Sequence, residues 1–135
     1  MKNIFLDTNV IIDFLTNRLP FSIDAAQLFE LSKRGHIKIY ISSLSINNIN
    51  YIVGRLETKQ KALKVIEQLL PLVEILPITR SVIEKTLLSN FKDFEDGLQN
   101  FCALENKLKI IVTRDIKDYR TSELSIYTPF EYLQN

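Results

Sequence analysis

The chain has 135 residues, of which 46% are hydrophobic and 24% charged, the composition of an ordinary folded domain long enough to build its own core. Its 17 basic and 16 acidic side chains leave a formal net charge of +1, so any nucleic-acid contact must come from a local patch rather than from bulk charge. The longest apolar runs are about four residues against the roughly 20 that a membrane span needs, which excludes a bilayer crossing.

The acid at position 7 interrupts the start of the chain, so no signal-peptide core forms. Cys102 is the only cysteine and His36 the only histidine. A reducing cytoplasm fits, and a Cys/His zinc site within one chain is excluded. Gly and Pro are scattered singly, with no linker or repeat, and residues 1–135 read as one domain.

Taken in chain order, residues 3–6 predict a short buried strand ending at Asp7. Val10, Ile11, Phe14 and Leu15 then recur with helical spacing. A second helix begins near Pro20, buries Ala25, Leu28 and Phe29, and stops at Gly35. Alternating Ile37, Ile39 and Ile41 make 36–41 a strand. Ser42 or Ser43 caps the next helix, with Ile49, Ile52, Val53 and Leu56 as its apolar stripe.

Ala62, Val65, Ile66, Leu69 and Leu70 mark a further helix, stopped by Pro71. Val73–Leu76 is a short strand, and Ser81 with Glu84 forms a capping box for a helix running to about Leu88. Asp93 caps a helix with Leu98, Phe101 and Cys102 inward. Leu108–Val112 and 125–127 are strands, and Thr128-Pro129-Phe130-Glu131 opens a last helix with Pro at its first position. Strands alternating with helices predict an α/β fold of three layers around a parallel sheet.

In such a sheet all strands end at one edge, where ligand sites collect. Asp7 and Asp115 follow strands. Asp96 lies in the first turn of a helix that descends before the strand leading up to Asp115, and Asn48 lies in the first turns of the helix after the second strand. Three or four carboxylates then converge on one crevice. Clustered carboxylates repel, and oxygen ligands suit hard cations, Mg²⁺ or Mn²⁺. Such an ion can activate water and neutralise a phosphate under in-line attack, so metal-assisted phosphodiester hydrolysis is the chemistry predicted.

Each acid also fits a plainer role. Asp7 can cap the following helix, Asp96 can favour a helix dipole, and Asp115 and Asp118 can be turn residues. Asn47, Asn48 and Asn50 are poor helix formers whose amides either fray into solvent or face the crevice. Cys102 reads as core packing and His36 as surface.

The motifs Ile4-Phe5-Leu6-Asp7-Thr8-Asn9-Val10, Phe94-Glu95-Asp96 and Val112-Thr113-Arg114-Asp115-Ile116-Lys117-Asp118-Tyr119 resemble the PIN domain family, and the overall pattern is similar to VapC-type ribonucleases of toxin–antitoxin pairs. The resemblance covers essentially the whole chain. It implies a PIN-like fold with a five-stranded parallel sheet, an Mg²⁺- or Mn²⁺-dependent endoribonuclease, an antitoxin partner and a homodimer.

By the same resemblance Asp7, Asp96 and Asp115 are the catalytic, metal-binding acids, Asp118 a supporting acid and Thr113 the polar residue that orients the site. Asn48 stands where the family usually carries Glu. The site loses a full negative charge there, which implies weak metal binding and slow cleavage, or a module that binds RNA or a protein without efficient cleavage.

Arg114 and Lys117, with Arg120, are the candidate RNA contacts beside the acids; Lys33 and Arg34 are the other cationic pair. Two other chemistries fit less well. Asp7 after a strand is similar to haloacid-dehalogenase-like phosphatases, but Asn9 replaces their second acid. A response-regulator receiver needs an acid at the end of the third strand, where Leu76-Pro77-Ile78 lies.

Overall fold

The computed structural model describes all 135 residues, Met1–Asn135. Five strands form one parallel sheet: β1 (Lys2–Leu6), β2 (Ile37–Ser42), β3 (Glu74–Leu76), β4 (Ile110–Val112) and β5 (Ser125–Tyr127), in the order β3-β2-β1-β4-β5. Their crossovers carry α1 (Thr8–Leu15), α2 (Phe21–Lys33), α3 (Ser43–Leu56), α4 (Lys59–Leu69), α5 (Arg80–Leu87) and α6 (Phe94–Glu105), and α7 (Pro129–Leu133) closes the chain. The predicted three-layer α/β architecture is the one observed. No helix is long and apolar enough to cross a membrane.

The period-two pattern of β1 divides the core. Ile4 and Leu6 join Ile39, Ile41 and Val112 under α1–α4 in a cluster of 18 buried residues. Phe5 and Ile111 face the other way, with Val82, Leu98, Cys102 and Tyr119, in a cluster of 8. Burial on both faces accounts for the near-continuous apolar character of these strands. The strand order reverses direction between β1 and β4, so the switch-point crevice opens at their carboxyl ends.

Local signals set most boundaries. Gly35, at φ +79°, closes α2: the Gly35 N–H donates to the Ser32 carbonyl and the His36 N–H to that of Leu31. Ser42 caps α3 by accepting from the Ser45 N–H, and Thr128 and Glu131 form a reciprocal capping box on α7.

Four expectations need correction. The cap of α5 is Thr79, which accepts from the Val82 N–H at 3.2 Å; the helix therefore starts before Ser81, and Glu84 instead pairs with Arg80. Burial of Val82 one turn into the helix fixes that start. The fourth strand covers only Ile110–Val112, because the Leu108 N–H turns back to the Ala103 carbonyl at the end of α6. Leu56 and Leu70 fall at helix ends and are exposed, outside the core stripes predicted for them.

Candidate active site

Asp7 is the first residue beyond β1. Leu6 pairs with Val112 across the sheet, so the next residues on the two strands, Asp7 and Thr113, face each other. The Asp7 Oδ2 accepts from the Thr113 hydroxyl at 2.8 Å, and Oδ1 accepts from the Thr8 N–H at 2.8 Å. Asp7 thus sits at the N-cap of α1, but only one of its oxygens serves the helix. The carboxyl is buried, and burial pushes its pKa above the ordinary value while contacts from Thr113, Thr8 and Tyr119 oppose the rise.

The same Thr113 hydroxyl oxygen accepts from the Asp115 N–H at 3.1 Å, and the Asn9 amide donates to Asp115 Oδ2 at 3.1 Å. Thr113, fully buried, is therefore the joint that ties the two strand-end carboxylates together. The buried Tyr119 hydroxyl lies beside the Asp7 carboxyl, where its contact favours the ionised acid although no well-formed hydrogen bond joins them. Its proton is held more tightly than usual, first by burial and then by the charges of Asp7 and Asp96.

Asp96 is the third residue of α6, whose N-terminus is capped by Asp93 Oδ1 accepting from the Asp96 N–H at 3.0 Å. Its half-buried carboxyl is pushed up to about 7, chiefly by desolvation and further by Asp7, Asp93, Asp118 and Glu95. An acid placed there only to favour the helix dipole would keep its charge easily; this one is crowded. Across the gap, the Asn48 amide on α3 donates to Glu95 Oε1, while Asn47 and Asn50 are exposed.

Asp7, Asn48, Asp96 and Asp115 line one crevice of about 310 Å³, together with Asn9, Asp13 and Glu95. Below it, Gln99 of α6 donates to the Thr8 and Ser45 hydroxyls, each at 3.1 Å, and accepts from the Ser42 hydroxyl at 2.6 Å. All four are buried, so this network pins the starts of α1 and α3 to α6 and fixes the crevice walls.

A family model described as PIN domain matches residues 3–117. The chain belongs to the PIN domain family. It is 28% identical over 141 residues to Ribonuclease VapC1 of Aquifex aeolicus (strain VF5), covering 98% of this chain and 94% of that relative. The structure of DNA-bound VapBC from Salmonella typhimurium superposes with a TM-score of 0.75 at 18% identity, covering 96% of this chain and 99% of that one. A toxin–antitoxin complex from Klebsiella pneumoniae gives 0.70 at 20% identity, covering 94% and 98%. At these identities the two structures speak for the shared fold. The VapC-like likeness read from the motifs is borne out.

Within this PIN domain the other sequence-predicted residues are placed as follows. Arg114 is committed to Asp13: its Nε donates to Oδ2 at 2.6 Å and Nη2 to Oδ1 at 3.3 Å, leaving Nη1 uncommitted. Lys117 and Asp118 line a second, smaller groove of about 90 Å³ with Arg120 and Asp96. Arg114 thus lines the acidic crevice and Lys117 the adjoining groove, with Asp96 common to both.

Sequence reasoning passed over Glu95, Asn9 and Asp13. The last two lie one turn apart on α1 and interrupt an otherwise apolar helix, which is the signal that marks them. The carboxyl groups ring the crevice without meeting at a point: no three acidic, His or Cys side chains stand at ligating spacing. The donors are nevertheless all oxygens, gathered where burial raises Asp7 and where burial, with the charges of neighbouring carboxylates, raises Asp96. That set fits a hard divalent cation that keeps some of its waters.

Proposed function

We propose that this PIN domain is a divalent-metal-dependent endoribonuclease acting as the toxin of a toxin–antitoxin pair. The observation that carries the reading is the switch-point crevice lined by Asp7, Glu95, Asp96 and Asp115, in which the charge of Arg114 is already given to Asp13. Asp7, Asp96 and Asp115 would hold Mg²⁺ or Mn²⁺. When bound there, such an ion lowers the pKa of a water molecule and neutralises charge on a phosphate under attack.

The chain's own groups do the positioning. Thr113 and Thr8 orient Asp7, Asn9 aims Asp115, and Asn48 holds Glu95, so the carboxylate at that wall comes from α6 rather than α3. Arg18 and the free Nη1 of Arg114 stand at the crevice to receive phosphates; Lys117 and Arg120 flank the neighbouring groove, where the strand can continue. Asp118 adds charge next to Asp96 from that groove.

The VapBC and toxin–antitoxin complexes among the similar structures support an antitoxin as protein partner, and the homodimer is proposed from the family resemblance alone. The cytoplasm, reducing and rich in RNA, is the compartment proposed, consistent with a free buried Cys102.

Asn48 favours one alternative: a PIN domain that binds RNA or a protein and cleaves little. Calorimetric Mn²⁺ titration beside single-turnover cleavage of single-stranded RNA, on wild type and Asp7→Asn, separates the two. Metal binding and cleavage in wild type, both lost in Asp7→Asn with the fold intact, support the nuclease. Strand binding without metal binding or cleavage in wild type supports the alternative.

A further inference from the structure

A second crevice opens between the start of α2 and α7, and nothing above uses it. At about 430 Å³ it is larger than the acidic crevice, and within the range of ligand sites. Its walls include Phe21, Pro129 and Phe130. Phe130 is 60% exposed and presents its ring at this crevice.

Asp13, Arg114 and Asp115 line both crevices, so the two adjoin across these side chains. Arg114 stands over the Phe21 ring at 4.2 Å from its centroid, and Arg18 approaches the same ring at 5.5 Å. With Arg114 paired to Asp13, the groups left for a phosphate at the junction are Arg18, which has no carboxylate partner, and Nη1 of Arg114, while Asp24 on the wall of the aromatic crevice repels one. A strand bound across both would place its backbone at the arginines and a neutral, flat group against the aromatics.

We propose that this crevice is a base subsite: it takes one base of single-stranded RNA next to the phosphate lodged in the acidic crevice, with Phe130 as the stacking platform. The proposal rests on the ribonuclease reading of the adjoining site. An aromatic platform beside a cationic track is a general device for holding single strands, because every base offers a π-face.

The test measures binding of a short single-stranded RNA to the full chain by fluorescence anisotropy in chelator, for wild type, Phe130→Ala and Phe130→Trp, and repeats it with strands carrying one abasic position walked along the sequence. Stacking at the magnitudes seen for single-strand binders predicts about 5- to 100-fold weaker binding for Phe130→Ala. Phe130→Trp restores affinity. One abasic position weakens binding to wild type but not to Phe130→Ala.

Full-strand and abasic-strand affinities unchanged by Phe130→Ala overturn the subsite. So does a change of oligomeric state in Phe130→Ala with strand binding intact, which assigns the crevice to a protein contact. Phe130-dependent binding without cleavage in Mn²⁺ retains the subsite and removes the nuclease reading; cleavage indifferent to Phe130 does the reverse.

Discussion

Replacing Asp96 by Asn removes a charge from the most crowded part of the crevice and leaves the side-chain shape nearly unchanged. In the folded chain the Asp96 carboxyl titrates at about 7, against 3.8 for the free side chain, because burial and the charges of Asp7, Asp93, Asp118 and Glu95 oppose ionisation. The folded state therefore keeps a proton that the unfolded chain releases. Stability linked to this group is complete below about pH 4 and is lost as pH rises through 7.

At about 1.36 kcal/mol per pH unit the ceiling is on the order of 4 kcal/mol. The carboxyl is only half-buried, and solvent screening reduces this to roughly 2 kcal/mol. Asp96→Asn should then stabilise the protein by about 2 kcal/mol at pH 8, a rise in melting temperature of about 6 °C at this chain length, with the gap closing toward pH 4. Urea unfolding and calorimetric melting of both proteins from pH 4 to 8 measure it. A variant no more stable than wild type at pH 8, or a difference that does not change with pH, refutes the crowding argument.

Three further outcomes follow from the geometry. Arg114→Ala strands Asp13, which is 1% exposed, and should cost about 3 kcal/mol at pH 8 by urea unfolding, less at acid pH where the raised Asp13 carboxyl takes up a proton. Gly97→Ala places a Cβ 2.6 Å from Thr86 Cγ2 and 3.3 Å from Phe91 Cβ, so α6 must shift; about 1–3 kcal/mol should be lost in melting experiments, with slower cleavage because Asp96 moves with the helix. Asn48→Glu sets a second carboxylate against Glu95, and should lower the metal-free melting temperature while tightening Mn²⁺ binding about tenfold by calorimetry.

Much of this was legible in the sequence because it depends on local signals. Apolar runs that stop at an acid place Asp7 at the sheet edge, and Asp93 announces the helix that carries Asp96. The α5 boundary was ambiguous for the same local reason: Thr79 and Ser81 both offer a capping hydroxyl, and only the burial of Val82 decides between them. Pairings between distant elements left no sequence trace. Arg114 looks like a free cation until α1 brings Asp13 to it from 101 residues away. The loss of a carboxylate at Asn48 looks uncompensated until α6 packs Glu95 against its amide.

Metal-dependent cleavage of RNA in the acidic crevice is tested by single-turnover cleavage of single-stranded RNA by the wild-type protein, begun in chelator and followed as Mn²⁺ is added. Metal dependence predicts no cleavage in chelator and a rate that rises with Mn²⁺ and saturates as the crevice fills. Equal cleavage in chelator and in Mn²⁺ would contradict it.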